Sequence, residues 1–151
     1  MVKEIIGLLF CMILGTIGHF IYDWSNRNKL LGFLFATNES IWQHLKLGIS
    51  PIILWTIIEL LTSQFKNLLF VKFVSIISFV ITLLSLYFCY KYFSKKNIIF
   101  LDIMIFYISL SIAYYISIEL LINLNENFIF NIIGLCGMIF IIYCYKLFNK
   151  Y

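Results

Sequence analysis

Five long apolar stretches constrain the fold of this chain more than any other feature. They occupy residues 5–24, 41–65, 68–93, 98–122 and 128–148, and each is about as long as the roughly 17–25 residues that cross a bilayer as a helix. Hydrophobic residues make up 63% of the chain, whereas soluble domains contain about 45–50%. The sequence therefore predicts an all-α integral membrane bundle of five transmembrane helices, formed by one domain over residues 1–151.

Two shorter features complete this topology. The segment 30–36 lies between the first two spans and is too short to cross a bilayer, so we expect it to be interfacial or re-entrant. The first span follows Lys3, as the h-region of a signal peptide would. It is longer than the roughly 7–15 residues of an h-region and lacks a small-residue cleavage site, so we expect a retained transmembrane helix.

The positions of lysine and arginine predict an orientation in the cell membrane. One side of the predicted bundle carries Lys3, Lys66 and Lys72. The other side carries Arg27, Lys29, Lys46, Lys91, Lys95, Lys96, Lys146 and Lys150. The positive-inside rule places the N-terminus outside and the C-terminus in the cytoplasm. The net charge of +4 is explained by orientation and by anionic lipid head groups, so we expect the bilayer and no nucleic acid as a partner. The sequence leaves open whether the chain also binds a second copy of itself, as a homo-oligomer, or another membrane protein.

Both histidines of the chain lie near carboxylates at the predicted cytoplasmic face. His19 and Asp23 are one turn apart on the first helix and continue a stripe of small residues that favours helix contact. Glu39 and His44 lie on either side of the start of the second helix. These four side chains form a candidate ligand set for zinc or another divalent metal. In a hydrolytic variant of this site, Glu39 is the candidate general base.

The same residues also fit a purely structural interpretation. Asn38, Ser40 and Gln43 precede or begin a helix, and Ser40-x-x-Gln43 matches a capping box. A carboxylate at Glu39 suits the positive end of the helix dipole. His19 and Asp23 on the first helix can hydrogen-bond to each other or to the second helix. Such bonds would fix the two helices together as a structural lock. The sequence leaves both interpretations open.

A second polar locus is predicted away from this cluster. His44 and Glu59 share one face of the second helix but lie about 22 Å apart at 1.5 Å per residue. Glu119 on the fourth predicted helix lies at a comparable depth to Glu59, so the two can form one polar site or face the interface separately. The four cysteines lack C-x-x-C spacing, and we expect them to be buried helix residues rather than ligands.

Two motifs carry a resemblance to a known family. His-Phe-Ile-Tyr-Asp-Trp-Ser over residues 19–25 and Asn-Glu-Ser-Ile-Trp-Gln-His-Leu-Lys-Leu over residues 38–47 resemble an uncharacterised family of small polytopic membrane proteins from Firmicutes, a domain of unknown function. The family usually has glutamate at the position of Gln43. The resemblance implies a bacterial membrane protein and no particular activity, substrate or cofactor.

Three functions are compatible with these observations, and whether the protein is an enzyme is left open. The first is an accessory or structural membrane component in which the His/Asp/Glu cluster is a lock. The second is a metal-dependent, hydrolase-like enzyme that acts on a lipid or amphiphile. The third is a transporter or channel subunit that uses Glu59, Glu119 and a serine-rich seam on the third helix.

Overall fold

The computed structural model describes residues 1–62, 67–94 and 98–148, and its secondary structure in these ranges is entirely helical. The six helices are α1 (Val2–Trp24), α2 (Lys29–Leu34), α3 (Ile41–Thr62), α4 (Leu68–Ser94), α5 (Ile99–Asn123) and α6 (Phe128–Phe148). Five of them, all except α2, are long and apolar enough to cross a membrane. The predicted all-helical fold with five candidate spans is therefore confirmed.

The predicted bounds agree closely with these helices, and the short segment between the first two spans forms α2, a helix of six residues. The predicted end of the second span at residue 65 lies outside the described residues. The same holds for Lys66, Lys95, Lys96 and Lys150, which contributed to the predicted orientation. That orientation stays a prediction.

The connection between α1 and α2 reverses the chain within a few polar residues. Asn26 and Arg27 adopt positive φ angles of 54° and 60°, a conformation that asparagine tolerates better than most residues. The side chain of Asn28 then accepts a hydrogen bond from the Leu30 amide at 2.9 Å and caps α2. This turn brings the chain back toward the C-terminal end of α1.

Helix α4 is at the centre of the packing. It contacts α3, α5 and α6, while α1 packs against α3 and α5. Glycine permits the closest approaches. A Cβ atom built on Gly48 of α3 would lie 2.1 Å from the ring of Phe79, and one on Gly134 of α6 would lie 2.2 Å from the backbone nitrogen of Phe70. Small residues at such crossings let helices approach closely in lipid.

The outer surface of the bundle is apolar, as a lipid-facing surface must be. Large exposed side chains occur along all five long helices, among them Leu9, Leu61, Phe88, Tyr115 and Phe140. This surface also explains why the expectation of four buried cysteines was wrong. Cys11 is buried, but Cys89 and Cys136 are exposed, since an apolar position in a membrane helix can face lipid as readily as protein.

Candidate metal site

The C-terminal part of α1 and the N-terminus of α3 bring three of the four predicted ligands together. The Nε2 atoms of His19 and His44 lie 3.8 Å and 3.7 Å from Oε2 of Glu39. The two imidazole rings meet edge to face, with centroids 4.9 Å apart. One ligand atom from each residue lies within 4.8 Å of the other two. We call this group the His19–Glu39–His44 cluster, and its location the site end of the bundle.

The separations in the cluster are close to those of a metal centre. Zinc ligands at about 2.0–2.1 Å in tetrahedral geometry lie about 3.4 Å from one another. The two distances to Glu39 exceed this value by a few tenths of an ångström, and all three ligand atoms lie within 4.8 Å of one another. Three protein ligands would leave one coordination position for water or substrate, as catalytic zinc sites do.

The main chain of α3 orients the ring of His44. Its Nδ1 atom lies 2.8 Å from the carbonyl oxygen of Ser40. A carbonyl only accepts, so Nδ1–H is the donor and Nε2 is the atom that carries the free lone pair. Metal-binding histidines are held in this way by a carbonyl or carboxylate on the second nitrogen. The hydrogen bond thus leaves Nε2 to face Glu39 and His19.

Predicted capping residues hold the loop that carries Glu39. The Asn38 side chain accepts a hydrogen bond from the Ser40 amide at 3.0 Å, and Ser40 Oγ accepts one from the Gln43 amide at 3.4 Å. The Ser40 amide, which Gln43 would accept in a reciprocal capping box, donates to Asn38. Oε1 of Gln43 accepts a hydrogen bond from the amide of Thr37 at 3.4 Å, which ties the start of the loop to α3.

Helix α2 is attached to α3 by two side chains that the sequence analysis did not select. Lys46 Nζ donates to the Gly32 carbonyl at 2.8 Å, and Ser50 Oγ donates to the Leu34 carbonyl. Both satisfy carbonyls at the end of α2, where a cation is also favourable. Lys46 is fully buried, whereas the predicted orientation used it only as a charge on one side of the bundle. The sequence does contain one indication of this contact with α2: Lys46 and Ser50 are four residues apart and so lie on one face of α3.

Asp23, the fourth predicted ligand, lies beside the cluster rather than in it. Its carboxylate is 3.9 Å from Nε of Arg27, and both side chains are largely exposed. With His19 and Glu39, however, Asp23 lines a polar pocket at the surface of the site end. The pocket is lined by His19, Tyr22, Asp23, Ala36, Thr37, Asn38 and Glu39. Asp23 thus lines the pocket beside the cluster and is not one of the three side chains whose ligand atoms come together.

The structure separates the two glutamates of the predicted second locus. Glu59 is buried at the opposite end of the bundle, 2.7 Å from Nζ of Lys72, and Lys72 also contacts Glu4. Glu119 is exposed and accepts a hydrogen bond from the side chain of Asn123 at 3.1 Å. Lys72, which entered the predicted orientation as a charge on one side of the bundle, is buried between helices.

Comparison with known proteins places the chain in a family. No similar protein was found among curated proteins or among solved structures. The sequence model of DUF6512, a family of unknown function, matches residues 2–151. This match covers nearly the whole chain and confirms the predicted membership of an uncharacterised family. The chain therefore belongs to the DUF6512 family.

Proposed function

We propose that this protein is a multi-pass membrane protein that binds a divalent transition metal, zinc by ligand preference, through the His19–Glu39–His44 cluster. The observation that carries the proposal is the approach of three ligand atoms to within 4.8 Å of one another. Two imidazoles and one carboxylate are also the ligand set of a well-known class of catalytic zinc sites. The orientation of His44 by the Ser40 carbonyl supports the same assignment.

The exposure of the cluster favours chemistry at the membrane surface. The Glu39 side chain is 83% exposed, whereas His19 and His44 are 32% and 25% exposed. An ion held there would keep a position open to water, and zinc lowers the pKa of bound water to about 7. The class of reaction that such a site supports is hydrolysis of a lipid or amphiphile. Because Glu39 is then a ligand, Asp23 is the pocket carboxylate left to accept a proton.

A second candidate function is a non-catalytic membrane component. The observation that favours it is the attachment of α2 and the loop to α3 through Lys46, Ser50 and Gln43, which requires no metal. In this case the cluster is a structural lock, and any partner would be another membrane protein. The third candidate, a transporter or channel subunit, stays a proposal, and Glu59 and Glu119, which it would use, lie in different surroundings.

Metal analysis distinguishes the two candidates. The full chain is purified in mild detergent, stripped with a chelator and reloaded with zinc, and the bound metal is measured by mass spectrometry. The metal-site function predicts about one zinc per chain and a rise in thermal stability on loading, since a ligand that binds only the folded state stabilises it. His44→Ala removes both effects, whereas Glu119→Gln, a matched change of an exposed carboxylate, retains them. A folded wild-type protein that binds no stoichiometric zinc, iron or manganese overturns the proposal and leaves the non-catalytic function.

A further inference from the structure

Three charged side chains meet inside the bundle at the end opposite the metal site. Lys72 Nζ of α4 lies 2.6 Å and 2.7 Å from the two carboxylate oxygens of Glu4 on α1. The same nitrogen lies 2.7 Å from Oε2 of Glu59 on α3. All three side chains are at most 1% exposed. We call this group the Glu4–Lys72–Glu59 triad.

The triad does not balance its own charge. Two carboxylates and one ammonium carry a net charge of −1 when all three are ionised. An uncompensated charge that is closed off from water is strongly destabilising even after relaxation of the protein, and more so within a membrane. One added proton on either carboxylate makes the triad neutral while the ion pair with Lys72 is retained.

The groups around the triad supply no second positive charge among the described residues. The charged groups that act on Glu59 are Lys72 and Glu4. The Lys72 ammonium also lies 5.0 Å from the ring centroid of Tyr114 on α5. The Tyr114 hydroxyl is hydrogen-bonded to Cys11 of α1 at 3.1 Å, and both groups are neutral in their usual forms. Lys3 on α1 is directed elsewhere, since its ammonium donates to the Thr62 carbonyl.

Polar atoms next to the triad have spare hydrogen-bonding capacity. Within the described part of the chain, Oε1 of Glu59 has no hydrogen-bond partner, and Oε2 is near Lys72 without the alignment of a hydrogen bond. The Trp55 indole nitrogen and the Ser117 hydroxyl are likewise buried and unpartnered there. Trp55 precedes Glu59 by one helical turn, and Ser117 follows Tyr114 by one turn, so both lie on faces that surround the triad. Buried polar atoms without partners are rare in folded proteins, and here they gather around the triad.

We propose that Glu4 and Glu59 form a binding site for one proton, held beside the ammonium of Lys72. The proton brings the triad to neutrality, and the carboxyl oxygen of Glu59 that has no hydrogen-bond partner within the described part of the chain is one position that can hold it. Release of the proton leaves a buried negative charge, so the deprotonated state requires that water enter the junction of α1, α3 and α4. The site is separate from the metal cluster and does not depend on it.

Infrared spectroscopy of the full chain in liposomes tests this proposal at neutral pH. A protonated carboxyl has a C=O stretching band that ionised carboxylates lack, and hydrogen–deuterium exchange shifts it. The expected spectrum of the wild type contains such a band with the intensity of one buried group. Glu59→Gln and Glu4→Gln each remove the band, because the remaining carboxylate pairs with Lys72 in its ionised form. Glu119→Gln leaves the band unchanged.

Two results overturn the proposal. The first is a folded wild-type protein with no carboxylic acid band at neutral pH. The second is a band that persists in Glu4→Gln or in Glu59→Gln, since the proton then does not depend on both carboxyl groups. The wild-type spectrum decides the first point without any variant. If one of the two glutamine variants does not assemble, the other decides the second point.

Discussion

His19 and His44 meet edge to face, with ring centroids 4.9 Å apart and ring planes at 83°, although one lies near the end of α1 and the other near the start of α3. Their Nε2 atoms are both directed at the same carboxylate oxygen of Glu39. This relationship joins the two helices at the site end. It also gives this chain a specific location at which metal binding can be measured.

Replacement of either histidine should reduce metal affinity strongly. Outer-shell substitutions at metal sites cost about 10–100-fold in affinity, and loss of a direct ligand should cost at least that much. We therefore expect His44→Ala and His19→Ala each to weaken zinc binding by about 100-fold in competition with a chromogenic chelator. Asp23→Asn is the matched control and should change the affinity less than tenfold, because Asp23 lies outside the ligand group. Equal losses from Asp23→Asn and His44→Ala would show that the ligand set is wrong.

Zinc affinity should rise with pH over the range in which the imidazoles lose their protons. A metal binds only neutral imidazole, so protons compete with the ion and are released when it binds. Calorimetry in buffers of different ionisation enthalpy should detect proton release on zinc binding. The double variant His19→Ala, His44→Ala should show neither the proton release nor the pH dependence of zinc binding. Binding that is constant from acidic to neutral pH would contradict coordination by imidazole.

Removal of the Lys72 ammonium should destabilise the bundle far more than removal of a surface charge. Loss of one partner from a buried ion pair costs about 3–5 kcal/mol, and in Lys72→Met two buried carboxylates lose their cation. Exposed substitutions such as Glu119→Gln usually stay within about 0.5 kcal/mol. Unfolding in mixed micelles by a denaturing detergent measures the difference.

A second variant shows whether the loss of stability in Lys72→Met comes from the lost charge or from altered packing. The triple variant Glu4→Gln, Lys72→Met, Glu59→Gln removes all three charges and should recover much of the loss of Lys72→Met, because neutral replacement of a buried ion triad is often tolerated. A triple variant that is no more stable than Lys72→Met would assign the loss to packing instead.

Gly134→Ala should loosen the contact between α4 and α6. Its added methyl group would lie 2.2 Å from the backbone nitrogen of Phe70, and a backbone atom cannot move away as a side chain can. Overpacking of this kind costs about 1–3 kcal/mol. Gly137→Ala is the control one turn away, since its nearest atoms belong to the side chain of Phe73. We expect a smaller loss of thermal stability there, and an equal or larger loss would count against this account of the contact.

Much of the fold could be predicted because apolar length is a local property. The starts of α3 at Ile41, α4 at Leu68 and α6 at Phe128 coincide with the predicted starts of the spans. Two of the three predicted ligands that meet, Glu39 and His44, are neighbours in sequence, and His19 lies at the same end of the bundle by the up-and-down path. The proximity of these residues therefore follows from topology.

The triad could not be predicted in the same way. Lys72 and Glu4 lie near the ends of apolar stretches, where a charge usually faces the membrane interface, and the sequence does not show which helix faces are turned inward. Three helices must pack before these charges meet. Asp23 was assigned by its one-turn spacing from His19, but the same spacing also permits the pair with Arg27 that the structure contains.

The two polar sites share the same pair of helices. Glu4 and His19 are fifteen residues apart on α1, and His44 and Glu59 are fifteen residues apart on α3, so the antiparallel pair is fastened at both ends over about 22 Å. Contacts at both ends restrict the movement of α1 along α3. Axial sliding of one helix against the other would disrupt the contacts at both ends at once, so the register between α1 and α3 is fixed twice.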